Sequence, residues 1–121
     1  TGDYLVRNIV GVDPERKLVA IGDRVDAGDS ILFCQRDRIS AEKDLIRMLR
    51  DLKQRSAGSI PRGAVYFSCL GRGRHTFGEN PNEMTLIERE LGDLPLVGFF
   101  ANGEISHRRL YGYTGVLTLF F

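Results

Sequence analysis

Residues 64–80 read AVYFSCLGRGRHTFGEN, an apolar run that passes without a linker into glycine, arginine, histidine and glutamate. A short run this rich in aromatic and β-branched side chains, from Ala64 to Leu70, reads as a buried and therefore central strand. The segment after it holds residue types that suit a nucleophile, an anion site, a metal site or merely a tight turn. What flanks the strand decides the fold around it.

Upstream, YLVRNIVGV (4–12) and KLVAI (17–21) are β-forming runs separated by Asp13-Pro14-Glu15-Arg16. That tetrapeptide suits a type I turn with Pro14 at its second position, so the two runs are expected to pair as a hairpin. Turn-rich GDRVDAGDS (22–30) then precedes a third expected strand, Ile31 to Gln35. Ser40 is placed to cap an amphipathic helix in which Ala41, Leu45, Met48 or Leu49, and Leu52 share a face. Glu42 near its start and Lys53 and Arg55 near its end suit the helix dipole.

Downstream, Asn80 is the expected N-cap of a second helix, with Pro81 at its first position and Glu83 completing a capping box. Met84, Ile87 and Leu91 line one face, and Gly92 is placed to end the helix in a left-handed conformation. Leu96 to Phe100 reads as a strand, and Asn102-Gly103 as a type I′ reversal. Arg109 to Tyr113 and Gly115 to Phe121 are the closing β segments. The order β-β-β-α-β-α-β-β-β predicts an α+β fold, a mixed and mainly antiparallel sheet with two helices packed on it in a layered sandwich. Repeated βαβ crossovers of a doubly wound sheet do not fit these intervals.

The chain has 121 residues, 42% hydrophobic and 27% charged, which fits one globular domain over residues 1–121 and argues against disorder. Its 17 basic residues nearly balance 16 acidic ones, so no global basic field draws it to nucleic acid. All the basic residues but Lys17, Lys43 and Lys53 are arginines, the side chain better suited to bidentate contacts with carboxylate or phosphate. Cys34 and Cys69 both sit in apolar runs and are expected to be buried, reduced thiols in a cytoplasmic protein, with a disulfide between them as the alternative. No apolar stretch reaches the roughly 20 residues that span a bilayer. The absence of an initial methionine and the strand-like run at the end lead us to expect a piece of a longer protein.

Three stretches together resemble the FIST domain, specifically its C-terminal part, FIST C. They are YLVRNIVGVD with AGDSILFCQRD, the strand and loop VYFSCLGRGRHTFG, and LVGFFANGEIS with the terminal TGVLTLF. The resemblance implies a cytoplasmic sensory module of bacterial signal transduction that binds small ligands, amino acids or related metabolites. It also implies a preceding FIST N-terminal domain, missing here, and a signalling output protein as partners. The family's characteristic residues fall on Ser68, Cys69, Gly71, Arg72 and Gly73 in the first loop and on Gly98, Phe99, Gly103 and Glu104 in the second. Ser106-His107 departs from the glycine and proline more common after the family's glutamate and isoleucine. No catalytic mechanism carries over.

Each candidate chemistry meets a plainer alternative. Cys69 as a nucleophile would need a nearby base, for which His75 is the candidate in sequence, but no hydrolase frame surrounds it. A buried strand-end cysteine is the preferred reading. Arg72 and Arg74, with amides freed by Gly71 and Gly73, could cradle an anion, though the run is no P-loop; the alternative has the arginines facing solvent or pairing with Glu79. The single Arg-Gly copy in a neutral domain falls short of an RNA-binding segment. Cys34, Cys69, His75 and His107 lack metal-ligand spacing, so no metal and no cofactor is expected. Glu104, after Asn102-Gly103, suits an amino or hydroxyl group of a ligand, or a bond to Arg72. Of Phe99 and Phe100, which alternate, one packs and the other borders a pocket.

The expected ligand contacts are therefore Ser68, Cys69, Gly71, Arg72, Gly73, Arg74, Phe99, Gly103 and Glu104, in a non-enzymatic sensory module. The 68–79 loop and the 98–105 region are expected to approach each other. The runner-up is a protein-interaction or structural domain that mediates domain packing or oligomerisation.

Overall fold

β3, Gly63–Cys69, is the middle of a three-stranded sheet of order β4-β3-β7. The computed structural model describes residues 4–78 and 82–121, without the side chains of residues 74, 75 and 82. The chain divides into two compact units, Thr1–Cys34 and Gln35–Phe121.

In the first unit β1, Ile9–Asp13, pairs antiparallel with β2, Leu18–Ile21, in the register Val12↔Val19 and Asp13↔Leu18. The turn is where the sequence places it, and the Asp13 carboxylate accepts the Arg16 amide at 3.0 Å. The expected third strand at Ile31 to Gln35 does not form. Apolar composition makes a strand only where a neighbouring strand satisfies its backbone. Ile31, Leu32 and Phe33 stay exposed, and Cys34 is exposed rather than buried.

The second unit begins with α1, Arg38–Arg55. Its N-cap is Asp37, not Ser40: Asp37 is extended, and its carboxylate accepts the Ser40 amide at 2.9 Å. Ser40 thus supplies one of the helix's orphan amides rather than capping them. After β3, where the sequence suggests only a loop, comes a short helix, α2, Gly73–Phe77, and then α3, Asn82–Leu91. The expected cap at Asn80 and Pro81 lies outside the described residues. Gly92 ends α3 at φ +90°, its amide bonded to the Glu88 carbonyl at 2.8 Å.

β4, Leu96–Ala101, runs parallel to β3, with Ala64↔Leu96 through Cys69↔Ala101 in register. β7, Gly115–Phe120, runs antiparallel on the other side, from Gly63↔Phe120 to Ser68↔Gly115. One face of the sheet is closed by α1 and α3, where Leu45, Leu49, Tyr66, Leu86 and Ile87 form the core, joined by Leu96 and Leu117. On the opposite face Val97, Phe99 and Phe120 are 67%, 65% and 54% exposed. Phe67 meets Phe99 edge to face there, ring centres 4.8 Å apart.

Asn102-Gly103 does not make the expected hairpin. β4 pairs with β3 alone, while β5, Glu104–Ser106, pairs with β6, Arg109–Tyr111. The reversal falls instead after β5, where His107 takes φ +54°. Gly103, at φ +112°, turns the chain out of β4, and a side chain there would crowd the Tyr111 carbonyl. A positive-φ dipeptide permits a reversal, but pairing of its flanks decides whether it becomes a hairpin. The fold is α+β with mainly antiparallel pairing, as the element order predicts.

Candidate functional site

Side chains alternate along β3, so Tyr66 and Ser68 share the face turned to the helices. Both are buried and polar in an otherwise apolar strand, and both need partners. Glu83, in the first turn of α3, supplies them. Its Oε1 accepts from the Tyr66 hydroxyl at 2.7 Å, and its Oε2 from the Ser68 hydroxyl at 2.9 Å. The Arg72 Nε donates to the same Oε1 at 2.7 Å, and its guanidinium lies 5.1 Å from the Phe77 ring centre. Burial raises the Tyr66 phenol far above its ordinary value, and the Glu83 charge adds to the effect. The hydroxyl therefore stays a donor.

The loop after β3 is fastened to its neighbours by backbone bonds. The Leu70 amide donates to the Ala101 carbonyl at 2.9 Å, the Cys69 amide to the Thr114 carbonyl at 3.0 Å, and the Arg72 amide to the Cys69 carbonyl at 2.8 Å. Arg36 stacks over Tyr113 at 3.7 Å and donates to the Gly71 carbonyl at 3.3 Å. Gly71 and Gly73 serve close approach: a Cβ on Gly71 would run into the Tyr113 ring, and one on Gly73 into the Phe100 ring.

Glu104 opens β5 and is 6% exposed. The Thr114 hydroxyl donates to its Oε2. Its Oε1 is buried and has no hydrogen-bond partner among the described residues. Burial pushes the Glu104 carboxyl above its ordinary value; the Thr114 bond and the Arg72 charge oppose this, and the Glu83 charge adds to it. Two buried carboxyls thus lie within electrostatic reach of one guanidinium, which is bonded to Glu83.

Of the residues expected from sequence, Ser68, Cys69, Gly71, Arg72, Gly73, Gly103 and Glu104 gather at this end of the sheet. Ser68 and Arg72 are engaged internally: Arg72, the candidate anion contact, pairs with Glu83. Cys69 is a buried free thiol. The side chains of Arg74 and His75, and all of Glu79, lie outside the described residues. Phe99 sits on the exposed face with Phe67, and it is Phe100, in register with Ser68, whose ring borders Gly73. Sequence reasoning missed Glu83, read as a capping residue, together with Tyr66 and Thr114. Polar side chains two apart on an apolar strand were the available signal that a buried partner must exist.

Residues 1–107 match the FIST C domain. The chain belongs to the FIST C family, whose members are generally sensory signal-transduction domains. It is 40% identical over 126 residues to an uncharacterized protein of Mycobacterium tuberculosis strain H37Rv, an alignment covering 98% of this chain and 32% of the relative. An uncharacterized protein of Mycobacterium bovis is 38% identical over the same shares. The chain thus spans about a third of the length of the curated relatives it matches. No solved structure matches it. Among the described residues no helix is long and apolar enough to cross a membrane, and no group of His, Cys, Asp and Glu is placed to hold a metal.

Proposed function

We propose that this chain is a small-ligand-binding sensory module of bacterial intracellular signal transduction, acting in the cytoplasm without catalytic turnover, with an amino acid or related metabolite as its ligand. The observation that carries this reading is the buried Oε1 of Glu104, which has no hydrogen-bond partner among the described residues. A buried acceptor without a donor costs about 1–3 kcal/mol, and a ligand's amino or hydroxyl group would offset that cost. The satisfied Tyr66–Ser68–Arg72–Glu83 cluster supports the reading from beside it, as a rigid wall that needs no ligand of its own. A FIST N-terminal domain and a signalling output protein are the partners this reading adds.

Thermal-shift and calorimetric screening of amino acids against the protein and its Glu104→Gln variant tests it. A ligand at a hundred times its Kd stabilises the folded state by about 2.7 kcal/mol, and the variant should lose that gain. Failure of every small molecule to shift the wild-type melting would sink the sensory reading.

A second reading rests on the other face of the sheet. Val97, Phe99 and Phe120 form an apolar surface of the kind that packs against protein, which favours a domain-packing or oligomerisation role. Saturable binding of another polypeptide, abolished by Val97→Asp, would support it.

A further inference from the structure

Resting on that ligand-binding reading, we infer that the Glu104 site takes a cationic nitrogen donor, an ammonium or amidinium group, and that it exchanges a proton for that cation when it binds. The argument starts from charge. Glu83 and Glu104 are both buried, and among the described residues the cation acting on Glu104, Arg72, is hydrogen-bonded to Glu83. With both carboxyls ionised, the described residues of the cluster carry one negative charge more than they have positive charge to answer, away from water. Buried charge is tolerated only when paired or neutralised.

The surroundings of Glu104 restrict how that is done. Arg72 from the loop after β3 and Glu83 from α3 act on it electrostatically, and the Thr114 hydroxyl, preceding β7, occupies Oε2. Tyr111 faces it across the β5–β6 ladder. From β3, Tyr66 is committed to Glu83, and Cys69 meets Thr114 through its backbone amide. None of these donates to Oε1. In the unliganded site burial favours the neutral acid at Glu104. A ligand bearing N⁺–H then donates to Oε1, Glu104 gives up its carboxyl proton to solvent, and the ligand keeps its own protons. The ion pair so formed completes the charge balance with a charge-assisted bond.

A neutral hydroxyl that donates to an ionised Oε1 leaves the excess charge in place, and one that meets the neutral acid makes no charge-assisted bond. The site therefore discriminates by charge as well as by hydrogen bonding. Linkage makes the affinity rise with pH, about tenfold per unit while Glu104 is protonated in the free protein, and level off once it is ionised.

The test uses the protein with n-butylammonium as probe, n-butanol as the neutral control and tetramethylammonium as a cation without an N–H. Binding is followed by amide NMR shifts at Glu104, Thr114 and Leu70 across the carboxylate pH range. The inference expects butylammonium alone to bind, with affinity rising with pH, and Glu104→Gln to abolish both the binding and its pH dependence. The Glu104 carboxyl carbon signal in the wild-type protein should also titrate above the ordinary carboxylate range, a reading that does not depend on the variant folding. Equal binding of butanol, pH-independent binding, no binding of butylammonium, or an ordinary Glu104 titration would each overturn it. None of these results touches the sensory reading itself, which stands or falls with the amino-acid screen.

Discussion

The Arg72 guanidinium and the Glu83 carboxylate meet at 2.7 Å between Nε and Oε1, with side-chain exposures of only 14% and 7%. Removing one partner strands the other's charge in the interior, at a cost of about 3–5 kcal/mol. Arg72→Ala should therefore destabilise strongly, whereas Arg72→Met with Glu83→Gln should cost much less, because no unpaired charge remains. Urea denaturation of the single and double variants measures the difference. Equal losses in both would show that the pair matters for packing rather than charge.

Glu104 should leave a mark on the pH dependence of stability. Its carboxyl is raised in the folded protein by burial, so the folded state holds the proton more tightly than the unfolded chain does. Its contribution favours folding at pH below the ordinary carboxylate value and is lost as pH rises from there through the raised folded-state value. Asp23, Asp37 and Glu90 are lowered, by bonds to Arg24, Ser40 and Arg50 respectively. Their contributions instead grow as pH rises toward the ordinary value. Melting temperature should climb and then fall across the acid range, and Glu104→Gln should remove only the fall.

The glycines rank by what a side chain would strike. At Gly98 a Cβ would overlap the Tyr66 backbone carbonyl, which is held in the sheet; at Gly73 it meets the ring of Phe100, which is 57% exposed and able to swing aside. Overpacking costs about 1–3 kcal/mol where neighbours cannot yield. Gly98→Ala should reach or exceed that range, and Gly73→Ala should stay near its lower end. Chemical denaturation of the two variants gives the order, and a reversed order would contradict the packing described.

The two cysteines should separate by reactivity. Cys34 is exposed and Cys69 buried, and both are free. A thiol reagent should modify Cys34 quickly in the native protein and Cys69 only on unfolding, because access governs the reaction. Cys34→Ser should remove the fast phase. Fast labelling that survives this substitution would place Cys69 within reach of solvent.

These contrasts show where the sequence was legible. The Ala64–Leu70 run announced a central strand because its partners on both sides bury it, and periodicity marked the helix over Leu45 and Leu49. Ile31 to Gln35 has similar composition but finds no strand to pair with, and composition carries no information about partners. Asn102-Gly103 advertised a turn correctly in its backbone freedom and wrongly in its pairing, for the same reason. At the site, Glu104 was visible because it follows that turn, yet its burial was not. Glu83 was hidden behind a local explanation: a glutamate near a helix start reads as a cap, and only the strand brought against α3 shows it binding Tyr66, Ser68 and Arg72.

The exposed sheet face leads to the last prediction. Phe99 is 65% exposed and meets Phe67 edge to face, so Phe99→Ser forfeits an edge-to-face contact worth about 0.5–1.5 kcal/mol and little burial. Ile87, fully buried between helix and sheet, should cost about 2–5 kcal/mol when cut to alanine. The two variants should therefore differ clearly in thermal stability. Phe99→Ser should in addition lower binding of an apolar dye, because it removes an aromatic ring from the exposed face that carries Val97. If Phe99→Ser were as damaging as Ile87→Ala, or left dye binding unchanged, that face would already be covered, and the domain-packing reading would lose its footing.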